Sequence, residues 1–375
     1  MDTIDNKYIS EAIDELVGSL GIKESIPTKT IRELICAGKV KESIETMANY
    51  LGLLIVVNLQ YVPATYQRTN IGEGDTSDGF NSSALVKTDS AGRGIEGITA
   101  QVSIPSYLPF YGTPGLQGFP VSVKISDNCQ RHPEAFTAIM AHELSHVVLC
   151  SLWHKGKNNE IYTDLAAMVL GFSKVMQEGR RVVETKQNYL SVVTTTTTFG
   201  YLSDEQFDFA FQKIKRILRE NIEADKCLRK KVIQKLGICR ERVACYQREV
   251  LRLRKCIECL DKNPNRKISQ QDAHKLVEFH QIGYFDRFEA VVKSSEQRLR
   301  VIMSSAAGLV EDTRHYHQRR LASLRTLLDR LDELVLVQQQ ALDSLHSSVE
   351  TVAKYIGFFD RFKINRVIRS FRAME

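Results

Sequence analysis

Seven of the eight prolines in this chain fall at or before Pro133, and Pro264 stands alone in everything that follows. Proline fixes φ and removes a backbone donor, so a proline-dense stretch must turn often, while a stretch without it can run in long helices. Thirteen of the 21 glycines also precede Pro133. The first third is therefore expected to alternate short helices and strands, and the remainder to be helical. A hydrophobic share of 43% is too high for a disordered tail. The length of 375 residues suits one large domain or two ordinary ones.

Met1–Ser10 is acidic and polar, without the basic and apolar regions of a secretion signal. The longest apolar run, Leu51–Val57, is far short of the ~20 residues a membrane-spanning helix needs. Eight cysteines in a chain of this size read as reduced thiols of a cytoplasmic protein. Cys256 and Cys259 form a CxxC, but no second pair follows at zinc-ligand spacing, so they are expected to be ordinary helix residues.

Helical periodicity runs from about Lys7 to Leu51, broken at Gly21–Pro27, and Leu53–Gln60 reads as a buried strand. Arg68–Gly97 carries six glycines among Ser, Thr and Asp and reads as a long loop. Ile98–Ile104 and Phe119–Ser126 are strand candidates. In the second, Val121, Val123 and Ile125 alternate with Ser122, Lys124 and Ser126. His132-Pro133-Glu134 opens a helix running to about Trp153. Another is capped by Asn158 or Asn159 and continues past Gly171. Residues 184–200, with five consecutive threonines, are expected to be extended or loop. Ser203-Asp-Glu-Gln206 is a capping box.

Beyond Phe207 the pattern is helical almost throughout. Leu321, Leu324, Leu328, Leu331, Val335, Gln338, Leu342, Leu345, Val349, Val352 and Ile356 keep one seam over five heptads, a coiled-coil signal. The simplest geometry is a long hairpin, out to residue 260 and back from 269. Its seam would meet the same chain, a second copy or a partner protein.

His142-Glu143-Leu-Ser-His146 is HExxH. On a helix, i and i+4 share a face, so both imidazoles can reach one ion. Glu143 can approach a metal-activated water as general base without being a ligand. Glu160, near the start of the next helix, is the candidate third ligand. Asp164, one turn later, is placed to fix the orientation of a ligating imidazole.

HELSH followed by Asn159-Glu160-Ile-Tyr-Thr-Asp164 resembles the gluzincin metallopeptidases, in the NExxTD form of the thermolysin-type signature. The short gap and Leu165-Ala166-Ala167 are similar to compact cytoplasmic HExxH proteases of the ImmA/IrrE type. The resemblance covers roughly residues 120–175. It implies an α+β, zincin-like domain with a small antiparallel or mixed sheet, and Zn2+ held by His142, His146 and Glu160. It further implies Glu143 as base, Asp164 as orienting group, and a cleft-lining strand whose Val121, Val123 and Lys124 meet an extended peptide substrate. Thermolysin-type enzymes also use a His or Tyr beyond the second ligand helix to stabilise the oxyanion. No histidine lies between His154 and His274, so Tyr189 and Tyr201 are the candidates, Tyr201 preferred. His132 and His154 are read as surface or capping residues.

Three weaker signals remain. Asp261, Asn263, Asn265 and Asp272 approach EF-hand spacing, but Arg266 stands where glycine is required, and a polar loop is expected. Residues 212–262 hold 16 Lys+Arg against 7 Asp+Glu, a basic arm that could contact nucleic acid but reads more simply as a solvated helix face. In the tail, Ile364, Val367, Ile368 and Phe371 share one face, to dock on the helical domain or to touch a membrane or partner. The expected function is a zinc-dependent endopeptidase over residues 1–220, followed by a regulatory or targeting coiled-coil domain over 221–375. The alternative is an inactive zincin-like scaffold that works through its basic coiled coil.

Overall fold

The computed structural model describes residues 5–63, 100–188, 191–262, 267–310, 315–316 and 318–372. The glycine-rich segment expected as a loop, the candidate Tyr189, and Asn263, Asn265 and Arg266 of the EF-hand-like run lie outside these residues.

Asp5 caps the first helix, its carboxylate accepting the Tyr8 amide at 2.8 Å. That helix, α1 (Asn6–Leu20), buries Ile9, Ala12, Ile13, Leu16, Val17 and Leu20, the three-and-four spacing of one core-facing stripe. The break at Gly21 leads into the short strand β1 (Ile22–Lys23), then α2 (Thr28–Cys36) and α3 (Val40–Leu51). The Lys23 ammonium donates to the Tyr50 carbonyl at 2.6 Å. Burial pulls its pKa down to about 8.

Strands β2 (Val56–Val62), β3 (Ala100–Ser103) and β4 (Pro120–Ser126) form a mixed sheet of order β2-β4-β3. β2 runs parallel and β3 antiparallel to β4. The ladder starts at Val56, three residues later than the β-branched run suggested. Period-two alternation sets the faces as expected up to Ile125: Val121, Val123 and Ile125 are fully buried and Ser122 and Lys124 exposed, whereas Ser126, expected on the polar face, is buried. The order overturns the expectation that this strand pairs with a peptide. β4 is central, with both backbone edges along Ser122–Ile125 hydrogen-bonded to its neighbours. A strand with two partners has no edge to offer. Val121 and Val123 are core residues, and Lys124 lies exposed on the opposite face.

Pro133 sits in the first turn of α4 (Pro133–Ser151), where its missing N–H costs nothing. This helix is apolar on nearly every side and almost wholly buried, among α2, α3 and β3 and the two helices that follow. Asn159 caps α5 (Glu160–Ala167), its side-chain oxygen accepting the Ile161 and Tyr162 amides. The helix does not continue straight through Gly171. A π-helical turn, Met168–Phe172, with Gly171 at φ 101°, separates α5 from α6 (Ser173–Gly179). A Cβ at Gly171 would lie 2.5 Å from the Glu24 carbonyl oxygen, which only glycine avoids. The threonine-rich stretch is strand: β5 (Arg181–Asn188) and β6 (Ser191–Thr198) pair as an antiparallel hairpin. Ser203 and Gln206 then close a reciprocal capping box at the start of α7 (Asp204–Asp261), one helix of 58 residues.

The remaining elements are α8 (Gln270–Phe279), α9 (Asp286–Val310), β7 (His315–Tyr316), α10 (Gln318–Ala353) and α11 (Phe358–Arg372). The chain divides into two compact units. Met1–Asn221 with Arg314–His317 form one, and Ile222–Thr313 with Gln318–Glu375 the other. In the first unit β7 pairs with β1, and the buried Tyr316 donates its hydroxyl to Glu24 at 2.7 Å. In the second unit the expected hairpin is a bundle instead. α7 runs out, α8 and α9 return, and α10 packs its seam against both long helices. Leu324, Leu331, Leu345 and Val352 are fully buried among Val232, Cys239, Leu253, Leu299 and Ile302 of the same chain. The seam at 321–356 is thus consumed internally and is not presented to a second copy. Cys256 and Cys259 pack in or against this core, and burial pushes the Cys256 thiol up to about 11. Ile364 and Ile368 dock in it too, as expected, while Val367 is 46% exposed. Among the described residues, no helix is long and apolar enough to cross a membrane.

Candidate metal centre

His142 and His146 lie on one face of α4, and both side chains are more than nine-tenths buried. Their Nε2 atoms are 3.1 Å apart, and Glu160 Oε2, from the first turn of α5, lies 3.1 Å from each. The outer ring nitrogens fix what these atoms are. His142 Nδ1–H donates to Asp164 Oδ1 at 2.7 Å, which leaves Nε2 a lone pair. The Thr163 hydroxyl donates to the Asn159 carbonyl at 3.1 Å, so its oxygen is the acceptor for His146 Nδ1–H at 3.3 Å. Again Nε2 is left an acceptor. Three acceptors therefore converge on one point with no donor among them.

Such an arrangement is repulsive unless positive charge sits between the atoms. The sides of the triangle match the about 3.3 Å edge of a tetrahedron with ligands 2.0–2.1 Å from its centre, the zinc geometry. These residues fit a divalent cation held by two imidazoles and a carboxylate. The electrostatics agree. Burial alone would lower the His142 pKa, but the Asp164 and Glu160 carboxylates outweigh it and hold it at about 10. Burial alone would raise Glu160, and the two histidines bring it down to about 2. Both shifts have one cause: carboxylates and imidazoles crowded around one point favour positive charge there.

Asp164 is 1% exposed and divides its carboxylate. Oδ1 takes His142, and Oδ2 accepts the Tyr201 backbone N–H at 2.7 Å. Gly200 makes this possible: its φ is 95°, and a Cβ there would stand 3.2 Å from Oδ2. The Tyr201 ring stacks on the His142 imidazole at 5.5 Å with 24° between planes, so the preferred tyrosine does arrive at the site. Arg180 pins this loop from behind, bonding the Leu202 carbonyl, pairing with Asp204 at 3.2 Å and lying over the Phe207 ring.

In front of the centre lies a cleft with a mostly apolar lining that includes Ala138, Ile139, Met176, Phe199 and Phe207. Glu143, His142 and Tyr201 form its polar wall, and Glu143 is 1% exposed. The five residues His142, Glu143, His146, Glu160 and Asp164 are all assembled here. Val121, Val123 and Lys124 are not. His154 is not a surface residue either. Its side chain is 8% exposed, its Nε2 lies 3.4 Å from Glu15, and its Nδ1 accepts the Gly156 amide. With Tyr162 and Lys155, which also reach Glu15, it ties the loop before Glu160 to α1.

Thr163, Gly200 and Arg180 carry roles that the sequence reading did not assign. Thr163 stands inside the NExxTD motif, so a signal for it existed. The other two are held by contacts spanning 20 to 40 residues, which no spacing rule anticipates. No family model, curated protein or solved structure matches this chain.

Proposed function

We propose that the first unit is a zinc-dependent endopeptidase. The observation that supports it best is the convergence of three acceptor atoms, the two imidazoles each fixed by a bond on the far side, beside a buried carboxylate that faces an apolar cleft. A divalent zinc bound there would supply Lewis acidity, polarising a carbonyl and lowering the pKa of a water. The chain's own residues do the rest. His142, His146 and Glu160 hold the ion, and Asp164 and Thr163 keep both imidazoles in the tautomer that binds it. Glu143 accepts a proton from the attacking water and returns it to the leaving amine. Tyr201 is the donor assigned to the developing oxyanion. The apolar lining accepts a hydrophobic side chain of a polypeptide and excludes water around it. Eight thiols suit such an enzyme to a reducing compartment.

Incubating a proteome with the wild-type chain and with Glu143→Gln, and reading fragments by mass spectrometry, tests this. New peptide termini are expected with wild type and absent with the variant, at equal metal content. Fragments of equal yield from both would remove Glu143 as base. No fragments from either, with zinc bound, would leave a binding protein.

A further inference from the structure

The last helix presents a second apolar surface. Ile364 and Ile368 of α11 enter the core of their unit, whereas Phe358, Phe359 and Phe362 are 79%, 79% and 63% exposed. At 3.6 residues per turn, positions 358, 362, 366 and 369 line one side of the helix, 359 flanks them, and 364 and 368 lie opposite. The outward face therefore carries three phenylalanines over its first two turns, and Arg366 and Arg369 further along, both exposed. Arg361 and Lys363 are exposed beside them, and Asp360 is the helix's one acid.

Three phenylalanines displayed within five residues are unusual on a protein surface and mark a binding face. Their form narrows the partner. The rings project from a convex helix, Phe358 and Phe359 meeting edge to face at 5.9 Å. A peptide ligand is received by a groove; projecting aromatics beside cations suit insertion into a charged interface. The excess of basic residues makes that interface anionic. We propose that the outward face of α11 docks on an anionic phospholipid surface, with Phe358, Phe359 and Phe362 at the headgroup–acyl boundary and Arg366 and Arg369 against the headgroup anions. This surface is independent of the metal centre.

The test is sedimentation of the full chain with vesicles of phosphatidylcholine alone or with phosphatidylserine added. Wild type is expected to pellet with the mixed vesicles and to be released by salt. Arg366→Gln with Arg369→Gln should weaken partitioning by about fivefold per charge removed. Phe358→Ser, Phe359→Ser and Phe362→Ser together should weaken it by more than about tenfold. All five positions are exposed, so thermal melting should be unchanged and a loss will not report misfolding. Equal binding to neutral vesicles, full binding by the triple variant, or no binding by wild type would overturn the proposal. So would a wild-type dimer in light scattering that the triple variant converts to monomer, because a second copy would then be the occupant.

Discussion

One carboxylate holds the centre's geometry together. Asp164 orients the His142 imidazole with one oxygen and holds the loop bearing Tyr201 with the other, and Gly200 is what lets the loop approach. Gly200→Ala should cost on the order of 1–3 kcal/mol, because a β-carbon is strained at that φ. It should also weaken zinc binding about tenfold or more by displacing Asp164. A thermal melt and a chelator competition read the two effects separately, and unchanged zinc affinity would deny Asp164 its orienting role. Away from the site, Lys23 makes a pH-dependent contribution of known sign. Its folded pKa, about 8, lies below the ordinary lysine value of 10.5, so the fold disfavours the charged form. The resulting penalty is complete below pH 8 and is relieved as pH rises toward 10.5. Lys23→Met should therefore gain stability over wild type at pH 7, and the gain should shrink between pH 8 and 10.5 in parallel melts.

At the scale of elements, local signals were readable and long-range ones were not. The histidine helix, the Asn159 cap, the Ser203 capping box and the β4 alternation all appear where sequence places them, because each depends on residues within one turn or one strand. The central position of β4 depends on β2 and β3, some 20 to 70 residues away, and alternation says nothing about which strands flank it. Gly171 looked like a tolerated helix residue, yet the approach of the Glu24 carbonyl makes it a break. The seam of α10 was legible as a seam, and Gln338 as its one polar interruption. The structure adds that Gln338 is 4% exposed, with Nε2 on the Cys239 carbonyl at 3.4 Å and Oε1 without a partner among the described residues. Gln338→Leu should thus raise stability, by about 1 kcal/mol, since it removes a buried polar atom that lacks a bond. A lower denaturation midpoint would show that the amide is satisfied and needed.

For the whole molecule, the proline and glycine asymmetry pointed to a turn-rich beginning and a helical remainder, and the chain follows it without placing its boundary at Pro133. That proline starts the buried helix that carries His142 and His146, and the division between units falls inside α7. Charge does not respect that division: the basic stretch at 212–262 lies along α7 and straddles it, while the chemistry is proposed for a cluster of carboxylates and imidazoles in the first unit. The five residues of that cluster were legible because HExxH and NExxTD are local patterns. The Gly200 loop and its Arg180 anchor were not, because they come from a hairpin folded back onto α5. The proposed chemistry depends on the metal. Elemental analysis of the purified chain should find about one zinc per molecule in wild type and in Glu143→Gln, and little in His142→Ala or Glu160→Gln. Substoichiometric zinc that His142→Ala leaves unchanged would contradict it.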